Sequence, residues 1–177
     1  MRFTETILSG VYLIDLDEHA DDRGFFSRVW CRREFEQHGL DGNFVQCNGS
    51  FSHKAGTLRG LHYQAEPFGD AKLIRCINGC VFDVVVDLRA GSNTRGRWFG
   101  AELTQSNRTM MYVPAGCAHG YLTLVDASEV LYPVTAFYAP EAERGVRWND
   151  PAFAVEWPRH LPLTISAKDQ NWPDYTP

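Results

Sequence analysis

From about Asn43 to Tyr138 the chain runs in short apolar-rich stretches separated by turn residues. The stretches are KLIRCI (72–77), VFDVVVDL (81–88), GRWFGAEL (96–103), RTMMYVP (108–114), GYLTLV (120–125) and EVLYPVTAFY (129–138). Regularly spaced β-prone runs predict an antiparallel sandwich or barrel. Asn78-Gly79, between the first two runs, predicts a hairpin with a two-residue turn. One short helix is predicted over RREFEQHG (32–39), with Gly39 as its stop. The chain after Tyr138 holds six of the nine prolines and three of the five tryptophans, which predicts packed, irregular loop with a helical turn or two.

VFDVVVDL carries more than a strand signal. Phe82, Val84, Val86 and Leu88 are all apolar, whereas the odd positions are Val81, Asp83, Val85 and Asp87. Period-two geometry puts the two sets on opposite faces. With a turn at Asn78-Gly79, Lys72 falls opposite Val85 and diagonal to Asp83, on the same face. Periodicity leaves two readings of that face: a solvated exterior, or a barrel interior that doubles as a pocket.

Length and composition narrow the classes. A chain of 177 residues, 44% hydrophobic, makes one domain (1–177) with a real core. Net charge is −5 and the basic residues are scattered, so no nucleic-acid footprint appears. No apolar run approaches the ~20 residues of a membrane span. MRFTETILSG lacks the apolar centre of a secretory signal, so a cytoplasmic location is expected. Cys31, Cys47, Cys76, Cys80 and Cys117 are odd in number and include no C-x-x-C, which predicts reduced, buried thiols.

GTLRGLHYQ (56–64) and PAGCAH (114–119) match the openings of the two metal-binding motifs of cupin barrels, G-x5-H-x-H and P-x-G-x-x-H. The second histidine of the first motif is replaced by Gln64, and Glu66 follows too soon to serve as the acidic ligand. His62 and His119 alone make a poor ligand set. We therefore expect neither metal nor cofactor, which frees His62 for acid–base work near neutral pH. Arg59, Lys72, His119 and Tyr132 come from different predicted strands and converge if the strands close into a barrel. A core has no use for so many polar groups. The set suits proton abstraction beside a carbonyl: His62 as base, Lys72 at the enolate oxygen, and Tyr132 returning a proton from the opposite face.

Along nearly its whole length the chain resembles the dTDP-4-dehydrorhamnose 3,5-epimerase family of metal-free cupins. The resemblance is carried by DDRGFF, FVQCNGSFS, GTLRGLHYQ, AKLIRCINGCVFDVVVDLR, PAGCAHGY, YPVTAFYAPEAERGVRWNDP and ISAKD. It implies an all-β, cupin-type double-stranded β-helix (jelly roll) with a few short helices. It also implies catalysis by His62, Tyr132, Asp169 and Lys72, with Asp169 orienting the imidazole. Substrate contacts are implied for Arg23, Gln46, Asn48, Arg59, His119, Tyr138, Glu143 and Lys168, with Asp83, Phe25 and Arg28 in support. The implied substrate is a nucleotide-linked 4-keto-6-deoxyhexose. The implied assembly is a homodimer with exchanged N-terminal strands, so that Arg23 serves the neighbouring subunit.

Strict alternation would put Arg59 and His62 on opposite faces, so the shared pocket requires a bulge or kink at Gly60. The chain also departs from the family pattern. Arg28 stands where a Glu is usual, and Pro133 follows Tyr132 where a polar residue is common. GDAK precedes the first long strand where a Gln is expected, and the loop from Ser52 to Gly56 is one residue longer. These departures leave a single-centre epimerase, or a different nucleotide such as CDP, as the alternative.

Overall fold

The computed structural model describes residues 1–158 and 163–176. Its first strands are β1 (Arg2–Glu5), β2 (Tyr12–Asp15), β3 (His19–Asp21) and β4 (Gly24–Phe26), followed by helix α1 (Arg32–Gln37). Then come β5 (Gln46–Ser52), β6 (Thr57–Gln64), β7 (Lys72–Asn78), β8 (Cys80–Asp87), β9 (Trp98–Thr104), β10 (Met110–Val113), β11 (Cys117–Thr123) and β12 (Ser128–Val134). The C-terminal part contributes a 3-10 turn (Pro140–Ala142), β13 (Glu143–Gly145), β14 (Thr164–Ile165) and helix α2 (Ala167–Gln170).

Two sheets face one another. One has the order β1-β2-β10-β7-β12-β5, and the other β13-β6-β11-β8-β9 with β14 added parallel to β6. This is the jelly-roll barrel expected. The predicted hairpin does not exist: β7 pairs with β10 and β12, while β8 pairs with β11 and β9. At Gly79 (φ +79°) the chain steps from one sheet to the other, and Lys72 lies across from Val113 and Val134 instead of Val85. Asn-Gly supplies the same positive-φ corner for a sheet change as for a hairpin. What fixes the choice is long-range: a Cβ at Gly79 would lie 2.6 Å from Ser128 Oγ, at the start of β12.

The two faces of β8 resolve as an interior and a covered exterior. Val81 and Val85 pack between the sheets with Ile74, Met111, Val113 and Val130. On the outer side Val84 and Val86 pack with Leu58, Leu61, Phe153, Val155 and Trp157, so the tryptophan- and proline-rich segment is a cover for one sheet. The cover of the other sheet comes from α1, whose fully buried Phe35 packs with Ile14, Leu73, Met110 and Tyr112. Gly39 (φ +70°) ends that helix as expected, its N–H donating to Glu36 O. With both exteriors covered by apolar residues, Lys72, Asp83 and Asp87 all lie inside and are buried.

The N-terminal strands had no counterpart in the apolar runs of the sequence. β1 and β2 extend one sheet, whereas β3 and β4 pair only with each other and stand out as an exposed ribbon. The thiols are free. Only Cys76 and Cys117 are buried, while Cys47 is exposed, which corrects the expectation of buried thiols throughout. Among the described residues no helix is long and apolar enough to cross a membrane.

Candidate active site

One end of the barrel opens into a cavity of about 510 Å³. The path of β6 shapes it. Opposite β11, His62 pairs with His119 but Arg59 pairs with Tyr121, so three steps on β6 match two on β11. This bulge falls at Gly60 (φ +124°), where a Cβ would lie 2.6 Å from Gly120 Cα and 2.9 Å from His119 O. Only glycine meets both demands. The consequence is the one anticipated: Arg59 and His62 line the same cavity.

His62 Nε2 lies 2.6 Å from Asp169 Oδ1, on α2. Ser166 caps that helix by accepting from Asp169 N–H, and the Gly60 N–H donates to Asp169 Oδ2 at 3.3 Å. Burial pushes the Asp169 carboxyl up, but the imidazole and these donors pull it further the other way, below the usual aspartate range. A carboxylate held in its charged form fixes the orientation of the ring. Trp172 packs edge-on to the imidazole, with ring centroids 6.2 Å apart. Nδ1 has no protein partner among the described residues.

The facing sheet supplies Lys72 from β7 and Tyr132 from β12. Lys72 Nζ donates to Asp70 Oδ1 at 2.8 Å. Burial chiefly, with neighbouring Tyr121 next, raises the Tyr132 phenol above its ordinary value, so it is held as a protonated donor. Its hydroxyl has no protein partner among the described residues. Deeper in the wall, His119 Nε2 meets the fully buried Asp83 Oδ1 at 2.8 Å, and Asp83 Oδ2 has no partner among the described residues.

At the mouth, Gln46 Nε2 donates to Asn48 Oδ1 and Gln46 Oε1 accepts from Tyr138 N–H. The Tyr138 hydroxyl donates to Glu143 Oε2 (2.8 Å), and Lys168 Nζ donates to Glu143 Oε1 (2.5 Å). These charged and amide groups form a polar rim above the dyad.

The structure therefore brings together His62, Tyr132, Asp169, Lys72, Gln46, Asn48, Arg59, His119, Tyr138, Glu143 and Lys168. Asp83 stands behind His119 instead of lining the cavity. Arg23, Phe25 and Arg28 are not in this chain's cavity. Arg23 is on the exposed ribbon paired with Asp21, Phe25 lies under the Arg108 guanidinium, and Arg28 bonds Glu34. Sequence reasoning missed Asp70, Ser50, Tyr121 and Trp172; the GDAK departure was the only pointer to any of them.

The side chains at the metal-ligand positions of a cupin make the following contacts. His62 and His119 each engage an aspartate through Nε2. The Gln64 amide bonds the backbone of Phe68 and Phe137 and accepts from Ala139 N–H. No cluster of three or more His, Cys, Asp or Glu suited to a metal occurs among the described residues.

A jelly-roll barrel with a carboxylate-oriented histidine, a lysine and a buried, protonated phenol around one cavity is a cupin equipped for proton transfer. The sequence model of the dTDP-4-dehydrorhamnose 3,5-epimerase family matches residues 5–176, and the chain belongs to that family. It is 44% identical over 173 residues to the dTDP-4-dehydrorhamnose 3,5-epimerase of Sinorhizobium fredii, covering 98% of this chain and 89% of the relative. The crystal structure of the enzyme of that name from Elizabethkingia anophelis superposes with a TM-score of 0.95 at 39% identity, covering 99% of this chain and 96% of the other. A 3′-monoepimerase from Streptomyces bikiniensis, solved in complex with dTDP-quinovose, gives a TM-score of 0.88 at 34% identity over 96% of this chain and 85% of its own.

Proposed function

We propose that this protein is an isomerase that inverts C3 and C5 of a nucleotide-linked 4-keto-6-deoxyhexose, converting dTDP-4-dehydro-6-deoxy-D-glucose to dTDP-4-dehydro-L-rhamnose. The observation that carries the reading is the pairing of His62, on one sheet, with Asp169 of α2, across the cavity from Lys72 and from the Tyr132 hydroxyl on the other sheet, which has no protein partner among the described residues.

The chemistry follows from where charge moves. C3 and C5 both flank the C4 carbonyl, so one carbonyl acidifies both hydrogens. His62, oriented by Asp169, removes the proton, and the electron pair becomes a C4 enolate. Lys72 stabilises the enolate oxygen, and Arg59 adds a second cation from the facing sheet. Tyr132 then delivers a proton to carbon from the opposite face, which inverts the centre. Gln46, Asn48, His119, Tyr138, Glu143 and Lys168 hold the rest of the sugar nucleotide.

The working unit is a homodimer in which the ribbon β3–β4 reaches the neighbouring cavity. In support, the Arg23 side chain is 89% exposed in a single chain, and Phe26 beside it is exposed as well. Phe25 and Arg28 then serve that neighbouring site. Free thiols suit a cytoplasmic enzyme.

A second reading is inversion of one centre only. It is favoured by the likeness to the Streptomyces 3′-monoepimerase and by the departures at Arg28 and Pro133. One experiment separates the two: incubate the protein with dTDP-4-keto-6-deoxyglucose in heavy water and count deuterons in the sugar. Two deuterons, with the L-rhamno product, are expected. One would establish the single-centre alternative. None, with dTDP or CDP sugars, would defeat the epimerase reading.

A further inference from the structure

We propose that Asp70 is the positioning residue of Lys72, holding its ammonium in the cavity wall so that the remaining N–H bonds face the substrate; this rests on the reading of Lys72 given above. Asp70 and Lys72 are two residues apart at the entry to β7, so extended backbone turns both side chains to the cavity. The entry is pinned from both sides. Ala71 N–H donates to Thr135 Oγ1 at 2.9 Å, and Thr135 N–H donates to Ala71 O at 3.0 Å. Both members of the pair are buried, at 7% and 8% exposure, and Nζ sits 2.8 Å from Oδ1. A charge this far from water needs a partner, and breaking such a pair leaves the other ion stranded.

Another buried aspartate shows what a purely structural one looks like here. Asp87 accepts from the Arg89 guanidinium, from Ser92 Oγ and from Thr94 Oγ1, and those donors tie its own loop. Asp70 has no such collar. Among the described residues its one donor is Lys72, and the pair faces the cavity. An ammonium has three N–H donors. One is spent on Asp70, which fixes the direction of the other two toward the C4 oxygen. The neighbourhood explains the need for a carboxylate as well as an ammonium. Arg59 lines the same cavity and bonds only a hydroxyl and a carbonyl among the described residues, so Lys72 without Asp70 would be a second cation with no carboxylate of its own.

Asp70→Asn and Asp70→Glu test the assignment by three readouts. The first is turnover and KM in the deuterium assay. The second is the affinity for dTDP, which lacks the sugar. The third is the rate at which Lys72 is reductively methylated at fixed pH, followed by peptide mass. For Asp70→Asn we expect turnover to fall about 10- to 100-fold while KM and dTDP affinity stay within about threefold, as for a contact realised in the transition state. Released from its partner, the Lys72 amine should be methylated about tenfold faster. Asp70→Glu should recover part of the turnover and most of the protection. An unchanged methylation rate in Asp70→Asn, or a loss of turnover matched by equal loss of dTDP affinity, overturns the assignment. If Asp70→Asn does not fold, Asp70→Glu decides alone: turnover lowered with Lys72 still protected supports it, and wild-type turnover refutes it. Should the wild type exchange no deuterium, the epimerase reading fails, while the methylation rates still decide whether Asp70 holds Lys72.

Discussion

Two histidine–aspartate pairs lie side by side in this barrel, and they are not equivalent. His62 and His119 are direct cross-strand partners, each engaging a carboxylate through Nε2, at 2.6 and 2.8 Å. The His62 side chain is 34% exposed to the cavity, the His119 side chain 9%. Asp169 has the Gly60 N–H besides its imidazole, and its carboxyl lies below the ordinary range. Among the described residues Asp83 has only the imidazole and its second oxygen has no partner, and burial drives its carboxyl above that range despite the pull of His119. The two rings are therefore held by unlike partners: a carboxylate kept in its charged form behind His62, and one that resists charge behind His119. On the proposed mechanism, the same residue pair makes a base on one strand and a substrate contact on the next.

The largest predicted contrast is between the two histidines themselves. His62→Ala should lower deuterium exchange by about 10³-fold or more, the scale of a lost general base together with its orientation. His119→Ala should act mainly through KM, by about tenfold, the cost of one hydrogen bond to substrate. Rapid-quench measurement of exchange in both variants checks this. Equal loss of turnover would make the two pairs a single unit and end the comparison.

Next in size is the group on the other side of the sugar. Tyr132→Phe keeps the ring and removes the hydroxyl, so reprotonation loses its donor while abstraction by His62 remains. Net inversion should fall about 10²-fold, with proton loss from substrate reduced less. Equal loss of both steps would count against Tyr132 as the acid. Smaller again is the contrast between the carboxylates: Asp169→Asn should cost about 10- to 100-fold in turnover, and Asp83→Asn less than about tenfold. A larger cost at Asp83 would reverse the assignment of the pairs.

How much of this was legible beforehand depends on the range of the interaction. That β8 has two unlike faces could be read from period two, because alternation is a property of one strand; which of them points inward could not. Its pairing partner could not, because Asn78-Gly79 signals a corner whose destination is set by Ser128, 49 residues further on. The bulge at Gly60 was legible because Arg59 and His62 had to share a face and only glycine allows it. Asp169 lies 107 residues from His62, and no local signal links them; the family resemblance alone pointed there. Asp70 was invisible for a related reason. It precedes its strand, and Thr135, just past the end of β12, pins the neighbouring Ala71 and so turns it inward. Four-residue strands such as RFTE are too short for periodicity to separate from loop.

The finest test uses stability instead of rate. Asp169 has its folded value below the unfolded one, near 3.9 for a free aspartate. Its contribution is therefore fully present above about pH 4 and is lost as pH falls through the folded value. Asp83 is displaced the other way. Between about pH 4 and its raised folded value the native state keeps a proton that the unfolded chain has released, so stability falls as pH rises through that window. Melting temperatures of Asp169→Asn and Asp83→Asn, each subtracted from wild type at every pH between 3 and 8, isolate the two slopes. The Asp169 difference should be flat near neutrality and shrink only in acid. The Asp83 difference should run against the wild type as pH rises from about 4. The asparagines remove titration at one site each, so the constant cost of a lost hydrogen bond shifts each curve without tilting it. Two curves tilting the same way would mean that both carboxylates titrate alike, and the distinction between a charged base-holder and a reluctant one would fall with them.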